Sequence, residues 1–276
     1  MKKLYPLFAV FFVTFLYSEE LNIYKGDKSY TILNAYEVKD NITGLVWQRG
    51  YGSKRNWEDA KKYCQNLELS GHHNWRLPHS QELFYIVDFS SKKLINSKYF
   101  KAKNRIFWAS NQHLTRDTYG WSVDFRDGML DWNYKPNLFY SRCVRDDEIA
   151  TQDSDNRFRR KDEIVYDKLT HIYWQDNKAA KKTIGDYKDA KNYCENLNLG
   201  GFDDWRLPHI YELVSILNYD RVNPYTFKAF KNIQSDWYWS SDLTSHQKDS
   251  AWLMEFNLGI PNWDLKEHKW FIRCLR

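Results

Sequence analysis

Trp57-Glu58-Asp59-Ala60-Lys61-Lys62-Tyr63-Cys64, then Trp75-Arg76-Leu77-Pro78-His79, then Arg142-Cys143-Val144-Arg145: this order decides the fold, because the chain runs through it twice. The second pass reads Asp189-Ala190-Lys191-Asn192-Tyr193-Cys194, Trp205-Arg206-Leu207-Pro208-His209 and Arg273-Cys274-Leu275-Arg276. The displacement is 130 residues at the first cysteine and 131 at the second. A repeat of that length is a duplicated domain, since solenoid units recur every 20–50 residues or so. The duplication also pairs the cysteines. Four cysteines allow three pairings, and one bridge inside each copy joins Cys64 to Cys143 and Cys194 to Cys274. Each bridge closes a loop of about 80 residues, worth roughly 4–5 kcal/mol in the chain-entropy picture.

Working outward, residues 1–18 read as a signal peptide. Lys2-Lys3 precede an apolar run from Leu4 to Leu16, and Ser18 stands before Glu19-Glu20. The run is shorter than the roughly 20 residues that span a bilayer, so no stable membrane span is expected after its removal. Export to the periplasm, the medium or the cell surface fits structural disulfides. An arm (19–30), copy one (31–145), a polar linker (146–163) and copy two (164–276) follow.

Within each copy the pattern is α+β. Glu37-Val38 with Leu45-Val46-Trp47, and Ile164-Val165-Tyr166 with Ile172-Tyr173-Trp174, read as hairpins around polar turns. Trp57, Ala60, Lys61, Cys64 and Leu67 keep helical spacing, as do Tyr187, Ala190, Lys191, Cys194 and Leu197. Ser70-Gly71 and Gly200-Gly201 are expected to stop these helices. Second helices are expected over Ser80 to about Asp88 and Ile210 to about Asn218, and strands after them end at the second cysteine. The tryptophans common to both copies (Trp47/Trp174, Trp75/Trp205, Trp108/Trp239, Trp121/Trp252) are expected in the core.

His79 and His209 stand three residues before Glu82 and Glu212. That is capping-box spacing, and a helix-start role is favoured over an acid–base or metal pair. No nucleophile–base constellation, phosphate-cradling glycine loop or metal-ligand spacing appears. No catalytic residue, metal or cofactor is therefore expected, and the chain reads as a binder rather than an enzyme.

Charge separates the copies. Copy one carries 18 Lys and Arg against 11 Asp and Glu, whereas copy two has 15 of each. From Phe89 to Arg116 lie Lys92, Lys93, Lys98, Lys101, Lys103 and Arg105 with no acidic residue. Such a stretch attracts polyanions; the alternative is a solvated lysine-rich loop. The first six of these cations are the candidate ligand-binding residues.

The ordered motifs resemble the Lcl C-terminal domain family: Trp-x-x-Ala with Cys, Trp-Arg-Leu-Pro followed by Glu-Leu, and Arg-Cys-Val-Arg. The resemblance covers both copies. It implies two tandem C-type lectin-like domains, each with two helices packed on twisted antiparallel strands. Similarity to the terminal domain of a collagen-like adhesin implies binding of anionic glycans. His79 and His209 replace the family's usual Thr, and no collagen-like repeat is present. Asn223-Pro224-Tyr225 and Asn262-Trp263-Asp264 only echo the calcium–sugar signature of C-type lectins, so calcium-dependent binding is not expected. The expected partner is an anionic polysaccharide, not nucleic acid. The rival reading is an envelope protein scaffold that uses exposed aromatics such as Trp237 and Trp270.

Overall fold

The computed structural model describes residues 30–89, 94–101, 103–146, 154–244 and 247–276. The signal peptide, nearly all of the arm, Lys92 and Lys93 lie outside the described residues. Both expected bridges are present, with Cα–Cα separations of 5.4 Å in Cys64–Cys143 and in Cys194–Cys274.

Copy one begins with strands β1 (Tyr30–Ile32), β2 (Glu37–Asp40), β3 (Leu45–Gln48) and β4 (Gly52–Arg55), then helices α1 (Trp57–Gln65) and α2 (Ser80–Tyr85). Strands β5 (Ile106–His113), β6 (Arg116–Asp124), β7 (Met129–Tyr134), β8 (Phe139–Ser141) and β9 (Val144–Asp146) complete it. These strands form two sheets, β1-β2-β3-β9 and β4-β8-β5-β6-β7. After a short helix α3 (Ser154–Arg157), copy two repeats the plan. Strands β10 (Phe158–Lys161), β11 (Ile164–Asp167) and β12 (Tyr173–Gln175) make its small sheet. Its large sheet is β13-β17-β14-β15-β16, with β13 (Ile184–Gly185), β14 (Trp237–Leu243), β15 (Ser250–Glu255), β16 (Ile260–Leu265) and β17 (Trp270–Phe271). Its helices are α4 (Tyr187–Glu195) and α5 (Ile210–Ser215).

Three features differ from the sequence reading. First, α1 stops at Gln65, well before Ser70-Gly71. Leu67 N–H bonds to Cys64 O at 3.1 Å, tightening the last turn. Ser70 and Gly71, with φ of 53° and 78°, instead form the two-residue turn between Leu69 and His72. Such turns need positive φ at both central positions. Second, α2 and α5 have six residues each: past them the chain closes in tight turns (Val87 N–H to Phe84 O, 3.0 Å; Leu217 N–H to Val214 O, 3.1 Å), and carbonyls at or just beyond the helix ends are captured across the molecule. Gln81 Nε2 donates to Leu217 O at 2.6 Å and to Val214 O at 3.2 Å, and Tyr211 Oη donates to Val87 O. Third, residues 158–161 in the polar connection form an edge strand. Phe158 anchors it, with ring centroids 4.7 Å from Phe227 and 5.3 Å from Phe230.

The four tryptophan pairs expected in the core are all buried, whereas a fifth common pair, Trp132/Trp263, is half-buried. Each copy keeps a private core around its bridge: Trp57, Trp75, Trp108 and Cys143 in copy one, Trp205, Trp239, Leu253 and Cys274 in copy two. The larger core is shared, running from Leu83, Phe84 and Trp121 to Leu213, Val214 and Trp252. A self-sufficient core in each copy, the simplest expectation from a 115-residue repeat, is thus only half of the packing.

Candidate anion-binding groove

The Arg-Cys motif sets the site in place. Arg142 is fully buried and donates to three carbonyls: Gln48 O (2.9 Å), Arg49 O (2.7 Å) and Lys101 O (2.8 Å). Burial without a carboxylate partner pushes its pKa down to about 9, which still leaves it charged at neutral pH. Arg49 extends the clamp, donating to Tyr99 O at 2.8 Å and Lys98 O at 3.2 Å. The backbone of the basic stretch is therefore pinned from below, and Lys98 and Lys101 are exposed above it.

The same construction recurs in copy two. Arg273 donates to Gln175 O at 2.5 Å, to Asp176 Oδ1 at 3.3 Å and to Asn232 O. In both copies a glutamine accepts the N–H of the second cysteine: Gln48 for Cys143 (3.2 Å) and Gln175 for Cys274 (3.1 Å). The other end of each amide reaches a tyrosine on the first helix, Tyr63 or Tyr193. Trp-Gln after the hairpin is a repeated signal that the motif reading leaves out. The family model of the Lcl C-terminal domain matches residues 36–145 and again 163–276. The chain belongs to this family.

In the first Lcl domain a groove of about 270 Å³ is lined by Lys54, Arg105, Ile106, Arg126, Phe139 and Tyr140, with Leu138 at its edge. Lys54 Nζ lies 5.8 Å and Lys103 Nζ 5.4 Å from the Tyr140 ring centroid. Lys103 also lies 5.8 Å from the Tyr51 ring. Cations at such distances are attracted to the ring face. Arg126 is held by Asp124 through Nε at 2.9 and 2.8 Å. Of the candidate cations, Arg105 lines this groove and Lys103 lies by the Tyr140 ring that borders it. Lys98 and Lys101 sit on the clamped segment beside Arg49, and Lys92 and Lys93 are outside the described residues. Lys54 and Arg126 were missed, since strand pairing brings them in from far along the chain. The repeat does mark them: the matching positions of the second Lcl domain hold Ile184 and Asn257.

The His/Glu pairs have structural partners. Glu82 takes a two-pronged bond from Arg76 (2.7 and 2.8 Å) and accepts His79 N–H at 2.7 Å. Glu212 does the same with Arg206 (2.9 and 2.7 Å) and His209 N–H (2.6 Å). The backbone half of a capping box is present, and the carboxylates also secure the Arg of Trp-Arg-Leu-Pro. Among the described residues, no group of three or more His, Cys, Asp and Glu is placed to hold a metal.

A second cavity, about 280 Å³, lies between the copies, lined by Leu45, Arg76, Tyr85, Asp146, Arg157 and Leu169 among others. Its cations are matched by carboxylates: Arg76 by Glu82 and Asp146, Arg157 by Asp167. In the open groove Arg126 is matched in the same way by Asp124, but Lys54 and Arg105 have no carboxylate partner among the described residues, so the groove offers an anion more than this cavity does. Two closed disulfides are compatible with an extracytoplasmic protein. Among the described residues, no helix is long and apolar enough to cross a membrane.

Proposed function

We propose that this chain is an exported bacterial binding protein, with tandem C-type lectin-like domains, that takes an anionic glycan or similar surface polymer on its first Lcl domain. The observation that carries the reading is the groove that Lys54, Arg105, Arg126 and Tyr140 line together, with Lys103 5.4 Å from the Tyr140 ring and Arg126 already paired with Asp124. Sulfate or carboxylate groups would sit among the cations while the sugar lies against the phenol ring. Attraction between exposed charges is screened over about 8–10 Å at physiological salt, so binding should weaken steeply as salt rises. The use of both candidate His/Glu pairs in helix-start bonds supports a binder over a catalyst. A periplasmic or cell-surface location goes with this reading, as does a polysaccharide rather than a nucleic acid as partner.

Immobilised heparin tests it with the full chain. The wild type should elute at clearly higher salt than the Lys54→Glu/Arg105→Glu variant. Equal elution of the two folded proteins would overturn the reading.

A further inference from the structure

The groove has a structural counterpart in the second Lcl domain, and its chemistry is different. Three backbone relations fix the correspondence. Phe125 N–H bonds to Arg105 O at 3.1 Å, as Phe256 N–H does to Asp236 O at 3.1 Å. Phe107 pairs in parallel with Tyr140, as Tyr238 does with Phe271. Ile106 faces Asp124 across the sheet, as Trp237 faces Glu255. Lys54, Arg105, Ile106, Arg126 and Phe139 are thus replaced by Ile184, Asp236, Trp237, Asn257 and Trp270. Three cations give way to one acidic residue and no cation at these positions, and two indoles occupy the site.

Unlike the eight tryptophans of the four buried shared pairs, Trp237 and Trp270 are only half-buried, and they belong to copy two alone. Their ring centroids are 6.3 Å apart at an interplanar angle of 58°, an open corner rather than a stack. Trp270 is held by polar bonds: its Nε1 donates to Asp264 Oδ2 at 2.9 Å, and His268 Nδ1 lies 2.8 Å from the same oxygen. A partly exposed ring fixed this way is preorganised for a ligand, which reduces the ordering cost of binding. Asp236 and Lys269 are the chain neighbours of Trp237 and Trp270, and Asn257 follows Phe256, whose N–H bonds to Asp236 O at 3.1 Å. With no excess of cations the corner does not attract a polyanion. A flat-faced ligand that carries hydroxyls uses both the indole faces and the polar rim, whereas an apolar peptide would leave the rim desolvated and unpaired.

We infer that this corner is a second, uncharged carbohydrate site, where a pyranose ring packs on Trp237 and Trp270 and its hydroxyls bond to the rim. The site uses different residues and a different force from the anionic groove, so the two readings stand or fall separately.

The test uses the full chain and a panel of uncharged oligosaccharides of glucose, mannose, galactose and N-acetylglucosamine, with binding read by calorimetry. At least one should bind, with an affinity unchanged between about 0.05 and 0.5 M NaCl because no charge is involved. Trp237→Ala and Trp270→Ala should each weaken it about tenfold or more. Asp236→Ala/Asn257→Ala, which leaves the indoles in place, should weaken it several-fold. Lys54→Glu/Arg105→Glu should leave it intact while abolishing heparin retention. No binding by any sugar of the panel would overturn the inference. Binding that survives both tryptophan substitutions in folded protein, or that falls with salt, would do the same.

Discussion

At the scale of single residues, the two copies show what one substitution does to a shared frame. Arg142 and Arg273 do the same work, gathering loop carbonyls beneath the sheet, but only Arg273 has a carboxylate, Asp176, where copy one places Arg49. Copy one thereby gives up a buried counter-charge and gains a second arginine that clamps the basic stretch. A comparable exchange occurs at the second helix start. Ser80 N–H bonds to Asn111 Oδ1 at 2.9 Å, and Ile210 N–H bonds to Asp242 Oδ2 at 2.6 Å. Only the aspartate also engages an imidazole, with His209 Nδ1 2.8 Å from its other oxygen. The hydrogen bond to Asp242 raises the His209 pKa above its ordinary value, with Glu212 adding to the rise while burial and Arg206 oppose it. A raised folded-state pKa contributes stability that is complete below the unfolded value of about 6.5 and fades as pH rises through the folded one. Asp242→Asn, which copies the partner domain, should therefore flatten the fall in Tm above about pH 6.5. Both groups are partly exposed, so the effect should be small. A Tm–pH series on wild type and variant checks it, and parallel curves would refute the linkage.

Elements in this fold are tied at their ends rather than along their lengths. Helix α1 contributes nine residues, too few to be stable alone in water. Asn56 Oδ1 caps its start by accepting Asp59 N–H at 2.9 Å, Trp57 Nε1 donates to Ala109 O at 2.7 Å, and Cys64 fixes its end to the strand region at Cys143. Reducing the bridge loosens a loop with a sequence separation of 79 residues. Cys64→Ser/Cys143→Ser should accordingly lose about 4 kcal/mol, read from urea unfolding, with a steeper slope because the unbridged denatured chain exposes more surface. This layer is well exposed in the sequence, because duplication turns coincidence into pattern. The cysteine pairing, the first helix of each copy and the buried tryptophans all follow from residues that recur at matching positions. The ends of α2 and α5 do not follow, since Gln81 and Tyr211 differ in type and reach their acceptors only after the copies meet. The groove is legible by half for a similar reason. Lys103 and Arg105 lie in a dense run, whereas Lys54 and Arg126 join through β4 and the β6–β7 turn.

On the scale of the whole molecule, the copies meet through reciprocal contacts. Gln81 reaches Leu217 O while its counterpart Tyr211 reaches Val87 O, the counterpart of Leu217. Phe89 packs on Trp252 with centroids 4.8 Å apart, and Tyr219, the counterpart of Phe89, packs on Trp121 at 4.5 Å. Each contact thus has its mirror with the copies exchanged, which is the signature of an isologous interface within one chain. Such an interface holds the two domains, and with them the cationic groove and the tryptophan corner, in a fixed relation. It also couples the stabilities of the domains. Removing either ring from a packed core costs about 3–5 kcal/mol, and much of that loss falls on the shared layer rather than on the private cores around the bridges. The wild type should unfold in urea as a single transition, with far-UV and near-UV signals coincident. Phe89→Ala/Tyr219→Ala should separate the two signals or split the transition, because each domain keeps its bridge and private core after the shared layer is lost. Two transitions already present in the wild type, or a single one retained in the variant at a midpoint close to the original, would show that the copies fold independently and that the reciprocal contacts contribute little to holding them together.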